Sequence, residues 1–131
     1  MTPFTHHSEA MKWYRLAADK GEASAQFNLG IIYDDGLGVP RDYAEAMKWY
    51  RRAADQGFAS AQYNLGAMYF EGRGVPEDLV QAHMWFDLSS QAQDNCHMTQ
   101  DRDMTARLMT PAQIAEAQNL ARDWKPTTPP R

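Results

Sequence analysis

EAMKWYRLAADKGEASAQFNLGIIYDDGLGVPRDYA, residues 9–44, is followed directly by EAMKWYRRAADQGFASAQYNLGAMYFEGRGVPEDLV, residues 45–80. Aligned with a shift of 36 residues, the two copies share 24 identical positions by direct count, including every glycine. A third copy begins at Gln81, where QAHMWF corresponds to EAMKWY. Self-similarity at a fixed period of this length predicts a solenoid of stacked supersecondary units.

Each period contains two stretches with helical spacing of apolar residues. In the first stretch, about residues 22–35, Ala25, Leu29 and Tyr33 recur at every fourth position and form one ridge. In the second, about residues 42–56, the apolar face consists of Ala46, Trp49, Tyr50 and Ala53. No segment alternates with a period of two. The sequence therefore predicts an all-α fold built from antiparallel helix pairs.

Glycine and capping residues mark the helix interiors and ends. Gly30 and its equivalent Gly66 lie inside predicted helices, where glycine costs about 1 kcal/mol relative to alanine. Their repetition predicts the close approach of a neighbouring helix. Polar residues three positions apart predict capping boxes at three helix starts, namely Asp42 with Glu45, Asp78 with Gln81, and Thr110 with Gln113.

The repeat decays after residue 81, where polar residues replace the alanine pair and the terminating glycine. We expect a single domain over residues 1–125. Its expected parts are a half repeat at 5–21, full repeats at 22–57 and 58–93, a carboxy-terminal cap at 94–125 and a disordered tail at 126–131. The cap begins with a polar helix over about 94–108 and ends with an amphipathic helix after Thr110.

Charge and composition exclude several functional classes. The net charge is −4 and the basic residues are dispersed, which argues against a nucleic-acid partner. No apolar run approaches the roughly 20 residues of a membrane-spanning helix, so no membrane insertion is expected. The single cysteine allows no intramolecular disulfide, and the amino terminus lacks a secretory pattern. These features favour the cytoplasm, or the periplasm if a leader has been removed.

The repeated pattern resembles the Sel1-like repeat, a branch of the tetratricopeptide-type solenoids. The resemblance rests on spacings that both copies keep, seen in the first as Ala25-x3-Leu29-Gly30-x2-Tyr33-x2-Gly36-x-Gly38-Val39 and continuing from Asp42 to Gly57. It implies a right-handed α-α superhelix that binds a protein or peptide as a scaffold or adaptor. Two alternatives stay open: a binding or regulatory module for a cell-wall or small-molecule ligand, and a self-assembling structural element.

One candidate site lies on the side of the first helices that faces away from the Ala25 ridge. In solenoids of this type that side lines a concave groove, which suits a peptide with an apolar anchor and a basic residue. The alternative is that these side chains pack between repeats. The candidate groove residues are Phe27, Ile31, Asp34 and Asp35 in the first copy and Tyr63, Ala67, Phe70 and Glu71 in the second.

A second candidate site is the amino-terminal helix, which has no preceding helix to cover its outer side. Met11 and Trp13 correspond to Met47 and Trp49, so large apolar side chains are expected to lie uncovered, with Tyr14 beside them. An open apolar end predicts self-association, most simply as a two-fold homodimer.

No catalytic, cofactor or metal site is expected. His6, His7, Cys96 and His97 do not have the spacing of a structural zinc site. Asp34, Asp35 and Glu71 resemble an acid–base group, but no nucleophile or phosphate loop accompanies them. The prediction is therefore a binding protein and not an enzyme.

Overall fold

The computed structural model describes the backbone of residues 3–93 and 95–127, and the side chains of residues 9–93 and 95–127. This part of the chain contains seven α-helices and no strand, so the all-α prediction is confirmed. The helices are α1 (Pro3–Asp19), α2 (Ala23–Asp35), α3 (Tyr43–Asp55), α4 (Ala59–Glu71), α5 (Leu79–Ala92), α6 (Cys96–Ala106) and α7 (Pro111–Asp123).

The helices pack in chain order, as expected for a solenoid. Each of the first five helices packs against the next, so that α2 pairs with α3 and α4 pairs with α5 within the two repeats. The regular progression ends at α5, which packs against both α6 and α7. The last two helices therefore cover the end of the array as a cap.

The turn inside each repeat depends on glycine. Gly36 ends α2 with φ of 69° and Gly72 ends α4 with φ of 71°, in the left-handed region that favours glycine. After each turn, the backbone N–H of the N-cap aspartate donates a hydrogen bond to a carbonyl of the preceding helix. Asp42 donates to the Tyr33 carbonyl at 2.9 Å, and Asp78 donates to the Tyr69 carbonyl at 3.0 Å.

The predicted capping boxes are only partly correct. Asp42 and Asp78 each accept a hydrogen bond from the backbone N–H three residues later, but no reciprocal side-chain bond forms. At α3 the Glu45 carboxylate lies 3.5 Å from Lys48 Nζ, so it pairs along the helix instead of returning to the cap. Only at α7 do Thr110 and Gln113 bond in both directions.

A tryptophan from the second helix of each repeat lies at the centre of the core. Trp49 is 1% exposed and Trp85 is fully buried. In each case three residues of the first helix of the same repeat belong to the core cluster that contains the tryptophan. They are Ala25, Leu29 and Ile32 around Trp49, and Ala61, Leu65 and Met68 in the cluster that contains Trp85.

The two helical glycines face an aromatic ring, which confirms the predicted close approach and identifies its partner. A Cβ atom placed on Gly30 would lie 2.4 Å from two atoms of the Tyr50 ring. A Cβ atom on Gly66 would lie 2.8 Å from the Phe86 ring and 3.2 Å from the Ala82 carbonyl oxygen. Because the ring occupies the volume of the missing side chain, the helices of each pair pack closely along this line.

The carboxy-terminal segment returns to the repeats after α7. Trp124 meets Trp85 in an edge-to-face arrangement with ring centroids 6.3 Å apart. The backbone N–H of Thr127 donates to the Asp55 carbonyl at 2.6 Å. Within the tail predicted at residues 126–131, Thr127 is thus bonded to α3, and residues 128–131 lie outside the described residues.

Candidate protein-interaction site

The predicted groove residues differ in how far the fold already uses them. Phe27 is half-buried, with its ring centroid 5.8 Å from that of Tyr50 and 5.3 Å from that of Phe58. Phe27 and Ile31 both pack against the core cluster that contains Tyr50 and Trp85. Phe27 on α2 therefore contacts α3 and the residue that caps α4. This arrangement matches the alternative in which these side chains pack between repeats.

Tyr63 is held in a similar way at the next junction. Its ring centroid lies 5.4 Å from that of Phe86, and its hydroxyl donates to the carboxylate of Asp101 on α6. Burial, together with this hydrogen bond, raises the pKa of Tyr63 to about 12. The side chain thus ties the second repeat to the cap.

Among the predicted groove residues, Ala67 and Phe70 make the fewest contacts with the rest of the fold. Both are half-buried, and neither belongs to the side chains that pack against the two core clusters. Asp35, at the end of α2, is exposed and forms no ion pair within the described residues. An apolar surface with an exposed carboxylate on the neighbouring first helix remains available.

The other two acidic groove residues share an internal cation. Asp34 accepts hydrogen bonds from the Tyr50 hydroxyl at 3.0 Å and from Arg73 Nη1 at 2.8 Å, and its side chain is 10% exposed. Arg73 Nε also lies 2.6 Å from a carboxylate oxygen of Glu71. Burial and the Asp34 charge together raise the pKa of Tyr50. This network joins the first repeat to the turn of the second.

The amino-terminal helix leaves a large apolar surface open. Trp13 is 72% exposed and Leu16 is 55% exposed, although the equivalent Trp49 is 1% exposed. Met11 and Tyr14 are half-buried and pack against the cluster around Trp49. The difference arises because no helix in the described residues covers α1 as α2 covers α3.

Neither a group of metal ligands nor a membrane-spanning helix is found among the described residues. No group of three or more potential ligands (His, Cys, Asp or Glu) that could hold a metal occurs among them. Cys96 and His97 are exposed, and the side chains of His6 and His7 lie outside the described ones. Within the same range, no helix has the length and apolar character needed to cross a membrane.

A buried histidine on α5 was not among the residues predicted from the sequence. His83 is 4% exposed, and its Nδ1 has no hydrogen-bond partner in the described structure. It stands where the earlier copies have Met11 and Met47. Burial lowers the pKa of His83 from its usual 6.5, with nearby Asp87 acting in the opposite direction.

We predict that His83→Met removes part of the pH dependence of stability. Because the folded-state pKa lies below the unfolded value of 6.5, the unfolded chain binds a proton first as the pH falls. The free energy of unfolding of the wild type should therefore decrease from about pH 7 downward more steeply than that of the variant. Urea unfolding across this pH range measures both profiles.

The matched control is His97→Met, which makes the same change at an exposed position on α6. It should follow the wild-type profile. Parallel profiles for the wild type and His83→Met would contradict the assignment.

Comparison with known proteins agrees with the architecture. The family model of the Sel1 repeat matches residues 7–22, 23–58 and 59–94. No curated protein matches the chain significantly.

Two solved structures show the same fold. One is a protective antigen present in uropathogenic Escherichia coli strains, with an SLR fold; it is 42% identical over 90% of this chain, with a TM-score of 0.87. The other is a Sel1 repeat protein from Oxalobacter formigenes, 37% identical over 72% of this chain, with a TM-score of 0.69. The chain spans 25% and 37% of the lengths of these two proteins. With family matches over most of its length and these structural relatives, the chain belongs to the Sel1 repeat family.

Proposed function

We propose that the chain is a protein-interaction scaffold that binds a peptide or protein segment on the open side of α2 and α4. Sel1 repeats form helical scaffolds that commonly bind other proteins. The observation that carries the proposal is the half-buried apolar surface at Ala67 and Phe70, which does not pack against either core cluster. A binding surface needs, near its centre, an apolar side chain that is free to contact the partner.

The charges on this surface define what the partner can offer. Asp34 and Glu71 already contact Arg73, so a partner gains little by presenting a cation to them. Asp35 is the exposed carboxylate that remains. The proposed partner is therefore a segment with an apolar anchor against Phe70 and at most one basic contact at Asp35.

The proposal includes no catalytic step. Asp34 is held by Tyr50 and Arg73, an arrangement that fixes the geometry of a helix junction. A general base must reach a substrate proton, and a carboxylate that is 10% exposed and doubly bonded is poorly placed for this task.

We predict that Phe70→Ser weakens partner binding by at least about tenfold, because loss of a central apolar anchor commonly costs more than 1 kcal/mol. The experiment selects binders from a random-peptide library displayed on phage, using the wild-type protein as bait. Affinities of the selected peptides are then measured for the wild type and the variant.

The control is Leu120→Ser on α7, a residue that is 39% exposed and lies outside the proposed surface. It should bind the selected peptides as the wild type does. Equal affinities for the wild type and Phe70→Ser, with both proteins folded, would refute the proposed surface.

A second candidate function is self-association through α1, favoured by the 72% exposure of Trp13. Trp13, Leu16 and Met11 form an apolar surface, with Lys12 and Arg15 beside it. We propose that a second copy covers this surface in a two-fold arrangement, since each copy then removes the same apolar area from water.

This proposal predicts a sedimentation coefficient that rises with protein concentration in the wild type. Trp13→Glu should abolish the rise, because the interface would lose its most exposed apolar side chain in both copies and would have to desolvate two carboxylates. Leu120→Glu adds the same charge at another exposed apolar position and should still associate. A wild-type protein that stays monomeric at high concentration would exclude the dimer and leave the groove proposal untouched.

A further inference from the structure

Two equivalent glutamines occupy the buried face of the first helices. Gln26 on α2 is 4% exposed and Gln62 on α4 is 1% exposed. Each donates its side-chain N–H to a carbonyl at the end of the preceding second helix. Gln26 bonds to Ala18 at 3.1 Å, and Gln62 bonds to Ala54 at 3.2 Å. These bonds fix the orientation of both amides, so each Oε1 is directed elsewhere as an acceptor.

Only the first of these acceptors has a partner in the described structure. Gln56 Nε2 donates to Gln26 Oε1 at 2.9 Å. The residue 36 positions after Gln56 is Ala92, whose methyl group cannot donate. Gln62 Oε1 is consequently buried without a hydrogen bond. A buried acceptor in this state destabilises the fold, and a suitable donor would remove that cost.

A cavity lies where the second donor would have been. It has a volume of about 580 Å³ and is bounded by α4, α5 and α7. Gln62 and Ala92 both line it, with Leu88 and Trp124 as apolar walls. This volume falls in the usual range of ligand pockets and is far larger than one water requires.

The remaining polar groups of the cavity favour a neutral ligand. Asp87 is already paired with Arg102 at 3.2 Å, and Arg122 with Asp123 at 3.1 Å. A cation bound here would therefore gain no unpaired carboxylate. Exposed Gln91 and Gln118 also line the cavity and can donate to a ligand's carbonyl oxygen.

We propose that this cavity binds the side-chain carboxamide of an asparagine or glutamine from a peptide partner, which donates to Gln62 Oε1. The first repeat supplies the precedent, because there a glutamine side chain fills the equivalent position. None of the residues outside the described ranges is an asparagine or glutamine that could supply this carboxamide. The site is distinct from the surface on α2 and α4 and does not depend on it.

The test is a nuclear magnetic resonance titration that observes the Gln62 side-chain amide and the Trp124 indole. The probes are the peptides acetyl-Gly-Gln-Gly-methylamide and acetyl-Gly-Met-Gly-methylamide, which differ in the carboxamide but have similar side-chain length. The glutamine peptide should shift both resonances and bind at least about tenfold more tightly than the methionine peptide, as expected for pairing a buried acceptor. Equal shifts, or none, would overturn the proposal and leave the cavity to water.

Matched variants at the exposed Ala92 test the position of the donor. Ala92→Gln restores the residue type of the first repeat, so it should raise the melting temperature and abolish binding of the glutamine peptide. Ala92→Glu has the same shape but carries no amide donor, and it should not raise the melting temperature. Identical behaviour of the two variants would refute the assignment. Phe70→Ser should leave this titration unchanged. The surface at Phe70 and the cavity at Gln62 are therefore tested independently.

Discussion

The contact between a helical glycine and an aromatic ring determines how the helices of each repeat pair. At Gly30 the Tyr50 ring occupies the volume that any larger side chain would need, and at Gly66 the Phe86 ring does the same. This contact fixes the register of α3 on α2. The Tyr50 hydroxyl then reaches Asp34, one turn further along α2, and Asp34 in turn holds Arg73 from the next repeat. The steric constraint at Gly30 thus places the Tyr50 and Asp34 side chains that hold the next repeat in position.

The sequence predicted the architecture because the necessary information is periodic. Glycines, alanines and tryptophans keep their spacing in both copies, and equivalent positions have the same structural task where the neighbouring helices are the same. Trp13 is exposed although it corresponds to Trp49, because no helix in the described residues covers α1. The buried state of Trp49 and Trp85 and the close packing at Gly30 follow from that pattern. The reciprocal cap predicted at Asp42 does not form, because Glu45 pairs instead with Lys48 one turn away, a competition that the spacing alone did not show.

The candidate sites were harder to predict because they depend on side chains from distant segments. Asp34 was read as an acidic groove residue, whereas Tyr50 and Arg73 hold it at a junction. Phe27 and Tyr63 likewise contact neighbouring helices. Differences between the aligned copies were the available signal. Arg73 replaces Leu37, His83 replaces Met47, and Ala92 replaces Gln56, and each exchange coincides with a feature that the repeat pattern alone did not predict.

The central claim is that the ring at Gly30 determines the packing of the helix pair, and Gly30→Ala tests it most directly through the urea unfolding midpoint. In an unconstrained helix interior this substitution stabilises by about 1 kcal/mol, because alanine is the better helix former. Here the added Cβ would overlap a buried ring that Asp34 holds in place. The account therefore predicts a lower midpoint, partly restored by the additional change Tyr50→Leu. A midpoint above that of the wild type would contradict it.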